Sequence, residues 1–181
     1  MDKKKFYIVV TLAGIILISY LKRKPIIKKA KNVMTNLKRK QFIESLTPAV
    51  KQIAAKIGVP YKFILAQISL ETGYGASELF SKHFNVGGVK AVKGQPFVSY
   101  LTTECNKNGV CTKIYQNFAK YNNLAEGLNA HSKILLNRYF KKYANKTQDA
   151  KEYAVLLQSG APKYATDPNY VKKIHSIIDT I

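Results

Sequence analysis

A helix whose start and stop are both spelled out lies between Pro60 and Gly75, and it ends on a carboxylate. Proline suits a first helical turn, where its missing N–H is no loss and its φ is already helical. Ile64, Gln67, Ile68 and Glu71 then fall at i, i+3, i+4 and i+7, so Glu71 shares one helix face with two isoleucines. Gly73 and Gly75 supply the stop, because glycine takes the left-handed conformation of a helix C-terminus at little steric cost. A carboxyl group placed there is disfavoured as an anion twice over, by apolar burial and by the negative end of the helix dipole. Both effects raise its pKa and keep a proton available, which is what a general acid needs. On these residues alone a plainer reading stays open, in which Glu71 is a surface residue on a helix buried along its other side.

Around this helix the chain reads as one domain with an appendage, since 181 residues at 46% hydrophobic content are enough for a single core. Phe42, Ile43, Leu46, Val50, Ile53, Ala54 and Ile57 recur at helical spacing, with Thr47 and Pro48 able to start or bend the helix and Gly58 to end it. A short helix is expected over residues 77–83. From Phe97 to Tyr115 the composition turns to Val, Tyr, Thr and Ile around Asn108-Gly109, which predicts a β-hairpin. Helices are expected again over about 123–137, 148–158 and 168–180, the last with Asp167 as N-cap and Pro168 at the first helical position. Helices flanking one small hairpin amount to an α+β domain, mainly helical, with a cleft between the helical body and the hairpin lobe.

Longer strings narrow this further. The stretch Ala66-Gln-Ile-Ser-Leu-Glu-Thr-Gly-Tyr-Gly-Ala-Ser-Glu-Leu79 is followed by Asn85-Val-Gly-Gly-Val-Lys90, Thr102-Thr-Glu104, Phe118-Ala-Lys-Tyr121 and Tyr164-Ala-Thr-Asp-Pro-Asn-Tyr170. In order and separation this set resembles the endo-β-N-acetylglucosaminidase family of bacterial cell-wall hydrolases, to which autolysins and the flagellar-rod peptidoglycan hydrolase belong. The resemblance covers about residues 40–181 and implies a lysozyme-like fold acting on peptidoglycan glycan strands. It implies Glu71 and Glu104 as the catalytic pair, with Tyr164 beside them, and a cleft lined by Tyr74, Asn85, Phe118 and Tyr121. Where many members carry Asn-Leu-Phe-Gly, this chain has Asn85-Val-Gly-Gly88, so an aromatic group is absent at position 87.

The residues support the same division of labour on chemical grounds. Glycoside hydrolysis needs a proton donor for the leaving oxygen and a second group that activates water or stabilises positive charge at the sugar carbon. Glu71 is the proton-bearing candidate, and Glu104, at the end of the first hairpin strand where water keeps it ionised, is the second. A cross-strand partnership with Lys113 is the bland alternative for Glu104. Aromatic faces stack on sugar rings, and with no Trp and 12 Tyr in the chain that work falls to tyrosines. Core packing is the competing role for Tyr164 and Phe118, and a turn role for Asn85. Muramidase or lytic transglycosylase action on the same polymer is the enzymatic alternative, and a non-catalytic basic module binding wall polymer or nucleic acid is the alternative of another class.

Residues Phe6 to Leu21 form a run of 16 without a charge, bounded by Lys3-Lys-Lys5 and Lys22-Arg-Lys24. At ~1.5 Å per residue the run spans roughly 24 Å, which snorkelling lysines extend towards a bilayer core of about 30 Å. No small-x-small cleavage pair follows it, so a transmembrane anchor over 6–21 is expected, with a basic N-terminus over 1–5, a basic tether over 22–40 and the catalytic domain over 41–181. Flanking charge does not set the orientation; the substrate places the domain outside the cytoplasm. Net charge is +20, and residues 1–40 hold 12 basic residues against one acidic. That favours polyanions generally, yet no zinc-finger spacing, RNA-binding aromatic motif or basic-helix dimer pattern points to nucleic acid, and a monomer is expected. Neither metal nor cofactor is expected, because His83, His131 and His175 lack ligand spacing. Cys105 and Cys111 leave two registers open: a two-residue Asn108-Gly109 loop pairs Cys105 with Thr112, whereas a three-residue loop ending at Gly109 pairs it with Cys111 and permits a disulfide.

Overall fold

The computed structural model describes residues 28, 29, 31–103, 111–133, 136, 142–160, 164, 165 and 167–181 in full, and the backbone alone of residues 3–27, 30, 104, 105, 134, 135 and 141. Two compact units divide at Gln41 and Phe42. In the first, residues 31–41 belong to helix α1 (Lys3–Ile57) and every one of them is exposed. The side chains of the apolar run over 6–21 lie outside the described residues; among those described, no helix is long and apolar enough to cross a membrane.

The second unit, Phe42–Ile181, is an α+β domain. Its elements after α1 are α2 (Tyr61–Thr72), α3 (Glu78–His83), β1 (Phe97–Cys105), β2 (Cys111–Ala119), α4 (Leu124–Leu135), α5 (Lys141–Tyr143), α6 (Ala150–Ser159) and α7 (Tyr170–Ile178). α2 is the centre. Every residue from Phe63 to Ser69 is buried, so α2 is covered on all sides and not along one stripe. A helix apolar all round belongs inside a core. Leu46, Val50 and Ile57 of α1, Tyr153 and Leu157 of α6, and Tyr170, Ile174 and Ile177 of α7 surround it.

Helix ends follow local chemistry. α1 passes through Pro48 and stops at Gly58, whose φ is +66°. α3 is capped by Ser77, whose hydroxyl accepts from the Phe80 N–H, and α6 by Asp149, whose carboxylate accepts from the Lys151 and Glu152 N–H groups. The start of α7 differs from expectation. It begins at Tyr170, and Asp167 does not cap it; instead Asp167 accepts from the Asn169 N–H at 2.8 Å, its backbone carbonyl accepts from the Tyr170 N–H, and its carboxylate pairs with Lys173. Asp167-Pro168-Asn169 is thus a turn in front of the helix, and this turn delivers Tyr170 into the core.

β1 and β2 form one antiparallel hairpin, with Phe97 opposite Ala119 and Cys105 opposite Cys111. This is the second of the two registers considered above. Cys111 is disulfide-bonded, and the chain holds one other cysteine, Cys105. Alternation gives the ribbon two unlike faces. Val98, Tyr100, Thr102, Gln116 and Phe118 share the face turned to protein, where each is at least half-buried. Phe97, Leu101 and Tyr115 share the other and are 55%, 53% and 74% exposed. Tyr100 ties the inner face to α3, with its ring edge-on to His83 at 6.2 Å and its hydroxyl bonded to Glu78.

The hairpin base is held by Asn85. Its Nδ2 donates to the carbonyls of Val89 and Ala119, both at 2.9 Å, and its Oδ1 accepts from the N–H groups of Val89 at 2.9 Å and Gly87 at 3.4 Å. Residues 89–91 thereby lie along the end of β2, where Ala91 and Ala119 add backbone bonds. Four backbone partners would lose their bonds in Asn85→Ala, so the substitution is expected to cost about 3 kcal/mol in a urea melt.

His131, on α4, is buried against Gly87, and a methyl group at position 87 would overlap the imidazole Nδ1. Burial lowers its pKa from 6.5 to about 4. Because the folded value lies below the unfolded one, the unfolded chain binds the extra proton between them, and stability falls as pH drops through that window. Relative to His131→Gln, the wild type is expected to lose on the order of 3 kcal/mol more between pH 6.5 and 4, read from paired urea melts.

Candidate active site

Glu71 occupies the last turn of α2, after seven buried residues in a row, and there the helix reaches the surface. Gly73, Tyr74 and Gly75 all have positive φ, at +57°, +56° and +82°, so the chain reverses within three residues. Tyr74 is the strained member, since a side chain in this region costs energy that glycine avoids. Two features offset that strain: the Tyr74 N–H donates to the Ser69 carbonyl at 2.8 Å, and its ring meets Phe42 edge-on at 6.3 Å. Thr72 closes the turn by donating to the Ile68 carbonyl and accepting from the Gly75 N–H at 3.0 Å.

Solvent reaches Glu71, which is exposed by area, yet desolvation holds its carboxyl above the ordinary glutamate value of 4.5. The two observations agree for a group open to water on one side and flanked by protein on the others. The expectation of a fully inward Glu71 is corrected accordingly: Ile64, Gln67 and Ile68 are buried, and the fourth member of that face is the one that emerges. That is the arrangement a proton donor requires, because an acid sealed in the core could not meet a substrate.

Three side chains not assigned a role from sequence stand behind Glu71. Gln67, one helical turn earlier, is fully buried; its Nε2 donates to the Tyr170 hydroxyl at 3.3 Å, and its Oε1 lies 3.4 Å from His131 Nε2. Tyr170 in turn packs its ring on Tyr164 at 5.3 Å. The hydroxyl of Tyr170 is held above the usual tyrosine range, chiefly by burial, with the nearby charge of Glu71 contributing. A polar residue in the middle of an apolar helix was the available signal for Gln67. His131 carried none, because a histidine without ligand spacing reads as scattered.

The expected site residues separate into two groups. Glu71 and Tyr74 stand at the C-terminal end of α2, while Tyr164, half-buried, packs on Tyr170, and the backbone of its neighbour Ala165 is clamped by two bonds to the Gln158 side chain, each 2.9 Å. Asn85, Phe118 and Tyr121 are buried. Asn85 spends its amide on the hairpin base, as described, and Phe118 and Tyr121 present little surface on which a sugar ring could stack. Glu104 belongs to β1, and alternation gives it the same parity as Tyr100 and Thr102; its side chain lies outside the described residues, as does that of Cys105. Position 87, where the family pattern would bring an aromatic ring, is filled instead by the imidazole of His131.

A groove of about 690 Å³ opens at the opposite end of α2, lined by Lys51, Tyr61, Asn145, Asp149 and Lys151 among others. It does not compete with Glu71 as a catalytic site. Its carboxylate, Asp149, caps α6 and is held below the usual range by the Glu152 and Lys151 N–H groups, so it has no proton to give. Among the described residues no group of His, Cys, Asp and Glu is arranged to hold a metal ion.

The chain is similar to known proteins over most of its length. The chain is 32% identical over 149 residues to the peptidoglycan hydrolase FlgJ of Salmonella typhimurium, covering 78% of this chain and 46% of that protein. It is 32% identical over 143 residues to the exo-glucosaminidase LytG of Bacillus subtilis, covering 76% and 50%. The match thus spans about half the length of these relatives. Among solved structures, the catalytic domain of the autolysin Auto from Listeria monocytogenes superposes with a TM-score of 0.70 at 27% identity, covering 79% of this chain and 84% of that one. A glycoside hydrolase domain of Salmonella typhimurium FlgJ superposes at 0.60 with 32% identity, covering 78% and 95%. The domain therefore has the lysozyme-like α+β fold of these glycoside hydrolases. With the glucosaminidase family model, described as mannosyl-glycoprotein endo-beta-N-acetylglucosaminidase, matching residues 47–181, the chain belongs to that family.

Proposed function

We propose that this protein is a peptidoglycan hydrolase that cleaves the β-1,4 bond following N-acetylglucosamine, with Glu71 as general acid and Glu104 as the second carboxylate. One observation carries the reading: Glu71 is reachable by solvent yet holds its proton above the ordinary glutamate range. In the first step the Glu71 proton passes to the bridging oxygen as the C–O bond to the sugar carbon breaks, and Glu71 is left as a carboxylate. Glu104, near the end of β1, activates water or stabilises the positive charge at that carbon. Tyr74 and Tyr164 supply surfaces beside the acid on which pyranose rings stack. Residues 6–21 anchor the chain in a membrane with the domain on the wall side, and the net charge of +20 draws it to an anionic envelope.

End-group analysis of digested sacculi tests the bond cleaved. New reducing N-acetylglucosamine is expected; reducing or anhydro N-acetylmuramic acid would instead identify a muramidase or lytic transglycosylase. Glu71→Gln is expected to abolish turnover and Glu104→Gln to reduce it severely.

The same raised pKa makes a stability prediction. A carboxyl with a folded pKa above its unfolded value stabilises the fold fully below the unfolded value and loses that contribution as pH rises through the folded one. Glu71→Gln, which mimics the neutral acid, should therefore melt above the wild type at neutral pH, with the gap closing below pH 4.5. A variant that is inactive and more stable separates loss of chemistry from loss of fold.

A further inference from the structure

We propose that His131 and Gln67 form a buried hydrogen-bond chain that fixes the direction of the Tyr170 hydroxyl, making Tyr170 the donor that receives the charge left on Glu71 after proton transfer. The inference rests on the assignment of Glu71 as general acid.

The chain has one consistent polarity. His131 is neutral, so one ring nitrogen carries hydrogen, and Gln67 Oε1 can only accept; His131 Nε2 is therefore the donor in their 3.4 Å contact. With its oxygen so occupied, the Gln67 amide turns its NH₂ to the Tyr170 oxygen at 3.3 Å. Tyr170 accepts there, which leaves its own hydrogen for a different partner. Gln67 and Glu71 are four residues apart on α2 and so share one helix face, and the Tyr170 hydroxyl bonded to Gln67 is near enough to feel the charge of Glu71. Both contacts are long, but Gln67 is sealed from solvent and His131 nearly so, and neither can turn to water instead.

Gly87 is part of the same device. Any side chain there would overlap the His131 ring, so the glycine opens the space from which the imidazole reaches Gln67. Among the described residues the imidazole's hydrogen-bond partner is Gln67, and a buried imidazole with a depressed pKa is a cost unless its bond does something.

The chemistry follows from where charge develops. Glu71 gives its proton to the leaving oxygen and becomes an anion at a site that disfavours anions. A hydroxyl whose hydrogen Gln67 leaves unspent, close enough to feel the charge of Glu71, is available to that anion as it forms, and Tyr170 keeps its proton throughout because burial holds its pKa high. Other titratable groups near α2 are occupied or distant. Tyr164 stacks on Tyr170, Tyr74 on Phe42, Tyr153 of α6 lies against Phe63 two turns away, Lys51 of α1 sits over Tyr61 at the far end, and Glu78 and Lys82 of α3 pair with each other. On the hairpin, Glu104 is the group assigned to the other side of the bond cleaved.

The test compares full-length wild type, Tyr170→Phe, Gln67→Met and the double variant on a soluble glycan-chain substrate, with kcat and KM measured across pH. Phenylalanine keeps the ring against Tyr164, so the fold is retained. Tyr170→Phe is expected to lower kcat roughly tenfold to hundredfold, the loss typical of one hydrogen bond to a charged group, with KM little changed. It is also expected to move the alkaline limb of kcat/KM upward, because the ionised form of Glu71 loses a donor. Gln67→Met should give a smaller loss in the same direction, and the double variant should fall no further than Tyr170→Phe. An unmoved alkaline limb in Tyr170→Phe, or additive losses in the double variant, would overturn the chain. Glu71→Gln separates the two levels: if it is inactive while Tyr170→Phe matches wild type, this inference alone fails, and if it retains turnover, the assignment of Glu71 fails and this inference with it.

Discussion

Burial of α2 on every side is the constraint from which the rest of the domain follows. A helix that is covered from Phe63 to Ser69 has one way to bring a polar group to the surface, which is to end there. Glu71 stands at that end, and the abrupt reversal through Gly73, Tyr74 and Gly75 keeps the next residues from closing over it. Desolvation from the surrounding body and access from one open side are therefore consequences of the same placement. The remaining helices wrap α2: α7 brings Tyr170 and α4 brings His131 to Gln67, one turn before Glu71, and Tyr164 packs on Tyr170.

The hairpin is organised on a different principle. Its outer face is exposed and its inner face is tied down at few points, chiefly the Asn85 amide at the base and Tyr100 against His83 and Glu78. The hairpin is thus held by local hydrogen bonds and ring contacts more than by a core of its own. The disulfide at Cys111 adds a covalent tie near the tip, where Cys105 stands opposite in the ladder.

Local signals made much of this legible in the sequence. The glycines after Glu71 and Asn108-Gly109 between the strands each act over a few residues, and each element they predict is present. What escaped was decided by tertiary contact. A stripe of Ile64, Gln67, Ile68 and Glu71 looks the same whether one face of a helix is buried or all of them, so Glu71 was expected further inside than it lies. Asp167-Pro168 has the pattern of a capped first turn, but Tyr170 is pulled into the core and the helix starts with it. In the sequence Asn85 fits a sugar-binding amide and a turn residue equally well, and its saturation by four backbone groups, which favours the structural role, depends on where β2 returns. Gly87 and His131 are 44 positions apart, and nothing in either segment alone says that one makes room for the other.

The central claim is that the fold keeps a proton on an accessible glutamate. Titration of the Glu71 side-chain carboxyl by carbon NMR in the folded protein, assigned through its absence in Glu71→Gln, measures this directly. The account predicts a midpoint above the ordinary glutamate value of 4.5. A midpoint at or below it would mean that water solvates the carboxylate freely, and the acid would have to be sought elsewhere.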